Sequence, residues 1–180
     1  MSKMRILTER LILRNINNRD SNNLIKNINN INVSKYLLTV PYPYTKKDAK
    51  WWINHCKEKG REYNFCIELK SEKKLIGGIG LSHVDKFQGT AEVGYWLGES
   101  YWKKGYGSEA LKALTDFSFN KLKLRRLQAD VFSKNPSSGK LLEKFGFVKE
   151  GIKKEGRRSK ATEKIHDEIM YGLLKKNYKK

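Results

Sequence analysis

The stretch that most constrains this chain is Thr90–Phe119, TAEVGYWLGESYWKKGYGSEALKALTDFSF. It opens on a strand-like run, Ala91–Leu97, passes a tight basic turn, Lys103-Lys104-Gly105-Tyr106-Gly107, and enters an amphipathic segment. Ala110, Leu111, Leu114 and Phe117 recur at helical spacing, which predicts a helix over Gly107–Lys121. Ser108 and Glu109 suit its start, because a hydroxyl can cap open amides and a carboxylate favours the positive end of the helix dipole. Strand, glycine turn and helix together bind anions: glycine lets the backbone come close to a ligand, and first-turn N–H groups point outward at it. With Lys103 and Lys104 beside it, the turn reads as a cradle for a phosphate or pyrophosphate, the alternative being a mere tight connection. Two common nucleotide patterns do not fit. No Gly-Lys-Ser/Thr follows four residues after a first glycine, and position 110 is alanine where a dinucleotide fingerprint has its third glycine.

The run AEVGYWLGESYWKKGYGSEALKAL resembles the central motif of the GNAT acyltransferases, and within them the RimJ/RimL-type protein N-acetyltransferases. In that family Gln/Arg-x-x-Gly-x-Gly/Ala at a helix start binds the pyrophosphate of acetyl-coenzyme A. Gly105 and Gly107 match, while Trp102 stands at the Gln/Arg position. A second segment, Asn135-x-x-Ser138 followed by Leu141-Leu142-Glu143-Lys144-Phe145-Gly146-Phe147, is similar to the family's Asn-x-x-Ala/Ser…Leu-Tyr-x-Lys-x-Gly-Phe. The likeness runs from TERLILRNI to IMYGLLK. It implies an α/β (α+β) fold, a mixed, mainly antiparallel sheet of about six or seven strands flanked by helices, over one domain spanning residues 1–180. It also implies acetyl-coenzyme A as cosubstrate, held by Leu97, Lys103, Lys104, Gly105, Tyr106, Gly107, Ser108 and Asn135. The Leu97 backbone would pair with the pantetheine arm like an added strand, and Asn135 would touch the same arm.

Taken in order, Arg10–Ile16 alternates and reads as a strand, and Asp20 caps a helix through Asn30 with Leu24, Ile25 and Ile28 inward. Lys35–Leu38 and Pro41–Tyr44 are irregular, since each proline disfavours helix at the residue before it. Thr45 and Asp48 form a capping box that opens a helix through Lys59, ended by Gly60. In the family this region closes over the acceptor, which makes Tyr42, Tyr44 and Trp51 candidate substrate-binding residues and leaves Trp52 to the core. Tyr63–Leu69, Leu75–Val84 and Ala91–Leu97 form an antiparallel meander, with Gly77, Gly78 and Gly80 marking a bulge or a close approach. Leu127–Phe132 is a further strand, Gly139–Phe145 a helix, Gly146–Val148 leads into a strand, and Ile165–Leu174 is the last.

Amine acetylation needs a neutral amine, donors for the thioester oxygen, and a proton for the leaving thiolate. Glu92, at the start of the central strand in an apolar run, is the candidate base, because burial would raise its pKa; a surface glutamate is the alternative. His83 and Glu155 are weaker candidates. Where many family members carry a tyrosine that protonates the thiolate, this chain has Leu142, so the Ser138 hydroxyl is the candidate replacement; a helix cap is its other reading. No His, Cys, Asp or Glu cluster has metal spacing.

The resemblance implies the N-terminal α-amine of a protein as acceptor, with a polyamine or other small amine as the rival. Charge bears on partners: 38 basic against 19 acidic residues leave a formal +19, which attracts nucleotides, ribosomes, RNA or acidic peptides. A non-catalytic ribosome- or RNA-associated protein on the same scaffold therefore stays open, as does a homodimer. Cys56 and Cys66 read as buried free thiols. The first residues carry no signal-like apolar core and no run reaches a membrane span, which points to the cytoplasm and away from a membrane.

Overall fold

The computed structural model describes residues 4–58, 61 and 63–178. Eight strands form one sheet: β1 (Arg5–Leu7), β2 (Leu11–Arg14), β3 (Asn64–Leu69), β4 (Lys74–Asp85), β5 (Thr90–Leu97), β6 (Arg126–Phe132), β7 (Val148–Arg158) and β8 (Ile165–Leu174). Their spatial order is β1-β2-β3-β4-β5-β6-β8-β7. Every neighbouring pair is antiparallel except β5 and β6. This is the expected mixed, mainly antiparallel architecture with eight strands rather than six or seven. The addition is β1, only three residues long; the expected strand after Gly146 is β7, which extends to Arg158 as a long hairpin arm with β8.

Among the described residues five α-helices flank the sheet: α1 (Ser21–Ile28), α2 (Ile31–Ser34), α3 (Lys46–His55), α4 (Tyr106–Asn120) and α5 (Pro136–Lys144). The helix expected to run unbroken from Asp20 to Asn30 stops at Ile28, and Asn30 caps a short second one by accepting from the Asn32 amide. Asp20 does not cap α1 with its side chain. Its buried carboxylate accepts instead from the Asn17 amide and takes a fork of bonds from Arg14, whose Nε reaches Glu68 at 2.6 Å. The Thr45–Asp48 capping box of α3 is present in both directions. That helix ends at His55, and its expected terminus at Lys59 and Gly60 lies outside the described residues.

Two apolar clusters cover the two faces. One packs α4 and α5 onto β2–β6 and β8 through Leu111, Leu114, Leu127, Leu142 and Phe147, all essentially buried. Each such side chain contributes about 1.5–3 kcal/mol by leaving water. The other packs α1, α2 and α3 against the far face through Leu24, Ile28, Val33, Ala49, Ile53 and Leu75. Trp52 packs at the edge of this second cluster, as expected. Cys66 is buried within it, Cys56 is half-buried beside it, both are unpaired, and burial pushes each thiol up to about 12.

The glycines of β4 record a close approach. A Cβ on Gly77 would lie 2.3 Å from the Trp96 carbonyl oxygen, and one on Gly78 would lie 2.6 Å from the Trp96 indole nitrogen. The bulge sits one step earlier, where the β3–β4 register slips between Ile67 and Glu68.

Candidate active site

The centre of the sheet comes apart where β5 meets β6. Their registered pairing ends at Glu92 opposite Gln128, although β5 continues to Leu97 and β6 to Phe132. Beyond that point the sheet holds a wedge, and a cavity of about 890 Å³ occupies it. Register fixes which backbone groups face the gap. Gly98 donates its amide to Ile76 on the β4 side, so the alternate residues Leu97, Tyr95 and Val93 turn their amides and carbonyls towards β6. The Leu97 carbonyl is already engaged, accepting from the Trp102 indole at 2.8 Å. Trp102, at the position where the family carries Gln or Arg, thus closes the end of β5, and the open backbone groups belong to Val93 and Tyr95.

At one end of the cavity stands the glycine turn. Gly105 is left-handed, with φ +82, and caps α4 by its backbone alone, with no side chain bonded to the first-turn amides. Ser108 therefore lies inside the first turn and does not cap the helix. Glu109 is turned away from the open amides: its carboxylate takes bonds from Thr8, from the Arg10 amide and from Arg10 Nε at 2.7 Å. Burial pushes the Glu109 pKa upward, but these hydrogen bonds outweigh it and hold the group below the ordinary carboxylate range. Arg10 also donates to the Lys104 carbonyl and stacks over the Tyr106 ring, 4.6 Å from its centroid. It is a brace for the turn that sequence reasoning missed. Lys103, Gly105, Tyr106, Gly107 and Ser108 line the cavity, whereas Lys104 points at the Tyr101 ring and does not. Lys134, not anticipated, adds a cation to the lining from the β6–α5 loop.

The middle of the cavity holds a pair of hydroxyls. Asn135 caps α5, its side-chain oxygen accepting from the Ser138 amide, and the Ser138 hydroxyl lies 2.8 Å from the Tyr95 hydroxyl. Burial pushes Tyr95 up to about 12 against the opposing hydrogen bond with Ser138, so the phenol stays protonated at neutral pH. Leu142, at the family's tyrosine position, is wholly buried in the core. The hydroxyl lost from α5 thus has a counterpart on β5. The sign of Tyr95 in the sequence is parity alone: it alternates with Val93 and Leu97 on the face that meets α5.

The far side of the sheet supplies carboxylates. Glu92 lines the cavity, but it is not buried in apolar surroundings as expected; about a third of its side chain, 34%, is exposed, and His83 Nδ1 stands 3.3 Å from it. His83 is 80% exposed at the end of its strand and does not line the cavity. Glu155 is also apart, exposed on the β7 arm with its amide donating to Asp167. Asp130 and Glu168, which no local motif marks, complete this side.

The expected acceptor aromatics are elsewhere. Tyr44 is buried in the second core cluster, Tyr42 is exposed before Pro43, and Trp51 faces outward, stacked on His55 at 4.8 Å. None of the three lines the cavity. The wall is made instead by Val33, Lys35, Tyr36, Leu37 and Leu38, held against the β7–β8 hairpin by bonds from Ser159 to the Lys35 carbonyl and from the Lys160 amide to Leu38. Among the described residues no group of three His, Cys, Asp or Glu side chains could hold a metal ion, and no helix is long and apolar enough to cross a membrane.

This layout suits an acyltransferase better than a phosphotransferase. The turn lacks a P-loop lysine, and the split in the sheet gives a long, thin phosphorylated carrier room to lie with its reactive end near the two hydroxyls. The chain belongs to the GNAT acetyltransferase family: the model of the acetyltransferase (GNAT) domain matches residues 10–148. It is 34% identical over 175 residues to the uncharacterized N-acetyltransferase p20 of Bacillus licheniformis, covering 96% of this chain and 97% of that protein. It is 35% identical over 95 residues to the ribosomal-protein-serine acetyltransferase of Escherichia coli, 53% of each chain. A GNAT-family acetyltransferase structure from Bacillus anthracis superposes with a TM-score of 0.83 at 29% identity, covering 96% of this chain and 99% of that one.

Proposed function

We propose that this protein acetylates a primary amine, with acetyl-coenzyme A as donor, and that its acceptor is the N-terminal α-amine of a protein of the ribosomal-protein type. The observation that carries the reading is the wedge between β5 and β6, with a helix start free of any side-chain cap at one end, the Tyr95–Ser138 hydroxyl pair in the middle and carboxylates across the sheet. Acetyl-coenzyme A, when bound, supplies an activated acetyl thioester. The amides of α4 and Lys103 would hold its pyrophosphate, with Ser108 and Asn135 lining its path. Val93 and Tyr95 would pair with its arm in the manner of an added strand. Ser138, with Tyr95 behind it, would deliver a proton to the departing sulfur, and Glu92 would help to receive the acceptor's ammonium.

The partial likeness to a ribosomal-protein-serine acetyltransferase supports an α-amine acceptor. So does its chemistry: an α-amine has a reference pKa of ~7.7–8.0 against ~10.4 for lysine, so more of it is neutral near pH 7. The formal +19 charge would draw in acidic peptide or ribosomal surfaces, and the free thiols fit a reducing, cytoplasmic compartment. A polyamine is the second reading, favoured by one observation: the net-positive chain presents Glu92, Asp130 and Glu168 on the acceptor side of the cavity, where a polycation would be welcome.

A competition between a serine-initiated peptide with acidic residues behind it, the same peptide blocked at its N-terminus but bearing a lysine, and spermidine decides between them. The expected result is preferential acetylation of the free N-terminus, with a rate that falls as salt screens the attraction. Preferential acetylation of spermidine would overturn the acceptor assignment.

A further inference from the structure

Three carboxylates share one face of three adjacent strands. Glu92 on β5 is in register with Gln128 on β6, and Gln128, Asp130 and Phe132 alternate onto the same face. Phe132 pairs directly with Glu168 on β8, which places Glu168 on that face as well, diagonal to Asp130 across the ladder at ~7–8 Å. The stacking of His166 on Phe132 confirms the side, since His166 lies two residues before Glu168. All three carboxylates line the cavity, but their circumstances differ. Glu92 is partly in water and leans on His83, and Asp130 is bonded to Lys153. Glu168 is only 4% exposed, and its Oε2 is buried with no hydrogen-bond partner. Arg157 Nε approaches that oxygen to 3.5 Å, an ion-pair distance that forms no hydrogen bond.

A buried carboxylate oxygen without a donor is costly to a fold, and proteins keep such groups where a ligand completes them. Glu168 lines the cavity, and the donor that suits its carboxylate there is an ammonium N–H. We infer that the Glu168 carboxylate takes the proton from the acceptor's ammonium, and that Asp130 and Glu92 draw the ammonium to the face beside it. This rests on the amine-transfer reading above. The N–H bond breaks, its electron pair stays on nitrogen, and the neutral amine attacks the acetyl carbonyl carbon. The carbon–sulfur bond then breaks, and the nitrogen's second proton reaches the thiolate by way of the Ser138 and Tyr95 hydroxyls. Glu168 afterwards returns its proton to water.

The charges around Glu168 suit the task. Burial and then the nearby Asp130 carboxylate push its pKa above the ordinary carboxylate range, with Glu92 adding to the effect; Arg157 and Lys153 from β7 oppose them without cancelling them. A carboxylate so placed is a stronger base than one in water. His166, on the same strand, shares this face, and Lys35 and Tyr36 line the cavity from the facing wall. The nearest glycine, Gly156, leaves room here: a Cβ there would lie 3.1 Å from Glu168 Oε2.

The test is the pH dependence of kcat/KM for the wild type, Glu168→Gln, Glu168→Asp and Glu155→Gln, with the serine-initiated peptide and spermidine as acceptors. Folding is followed by circular dichroism and acetyl-coenzyme A affinity by calorimetry. Glu168→Gln should lose ~10²-fold or more in kcat/KM at pH 7, with cofactor affinity kept and the deficit shrinking as pH approaches the amine's own pKa. Glu168→Asp, which keeps the carboxylate one methylene short, should retain the wild-type form of the profile at a reduced rate, and Glu155→Gln should match the wild type. A folded Glu168→Gln protein with an unchanged profile and a rate within about threefold of wild type would overturn the inference while leaving amine transfer intact. Failure of the wild type to acetylate either amine would defeat the amine-transfer reading, and this inference with it.

Discussion

Gly105 is where a single substitution best separates the anion cradle from an ordinary tight turn. Its φ of +82 is a backbone region that costs an L-residue ~1–2 kcal/mol. Sterics add little, because the nearest atom a Cβ would meet is Arg10 Nη2 at 3.1 Å, the far end of a flexible side chain. Gly105→Val therefore pays chiefly in backbone strain, and two outcomes are open to the fold. If the turn stays, the strain appears as a loss of Tm of ~2–4 °C per kcal/mol for a chain of this size. If the turn relaxes, the amides of Tyr106, Gly107 and Ser108 no longer converge. Losing one charge-assisted hydrogen bond worth ~1.5–3 kcal/mol then raises the Kd for acetyl-coenzyme A about 10- to 150-fold. Gly105→Asn is the control, since asparagine tolerates the left-handed region better and should fall between. Calorimetric titration paired with thermal melts reads both quantities. A folded Gly105→Val protein that binds acetyl-coenzyme A with wild-type affinity and melts at the wild-type temperature would refute the reasoning.

Tyr95→Phe and Ser138→Ala should each slow turnover by no more than about tenfold, because water can also protonate a thiolate, and the double variant should be no slower than the worse single one; fully multiplicative losses would show that they are not one relay. Glu168 should weaken the fold where it is ionised. Its folded pKa lies above the unfolded value, so stability is lost as pH rises from the ordinary carboxylate range through the folded pKa. Urea melts should therefore show Glu168→Gln stabilised over the wild type at pH 8 and equal to it at pH 3.5, and the opposite order would contradict the direction of the shift. Arg10→Met should weaken acetyl-coenzyme A binding although Arg10 does not line the cavity, because the turn loses its brace at the Lys104 carbonyl and at Glu109; unchanged affinity would mean that the turn holds itself.

What the sequence made legible was local. The Gly105–Gly107 turn, the α4 stripe, the Thr45–Asp48 box and the β3–β4–β5 meander are written in residues a few positions apart, and each is present. The strand β1 escaped notice because three residues carry too little alternation to register, and its existence depends on pairing with β2. The family resemblance places the acceptor beside the segment that enters α3 but does not give the direction of its side chains, so Tyr42, Tyr44 and Trp51 were expected at a pocket that instead lies beside Lys35–Leu38. The carboxylate face was invisible for a stronger reason. Glu92, Asp130 and Glu168 sit on strands far apart in the chain, and only the crossover that sets β8 beside β6 brings them onto one face.

The central claim is tested most directly by incubating the wild-type protein with acetyl-coenzyme A and the serine-initiated peptide, following free thiol release and identifying the peptide product by mass spectrometry. The account predicts one equivalent of thiol per acetyl group, with the acetyl on the N-terminal nitrogen. Binding of acetyl-coenzyme A without transfer to this peptide, to spermidine or to a lysine side chain would contradict it.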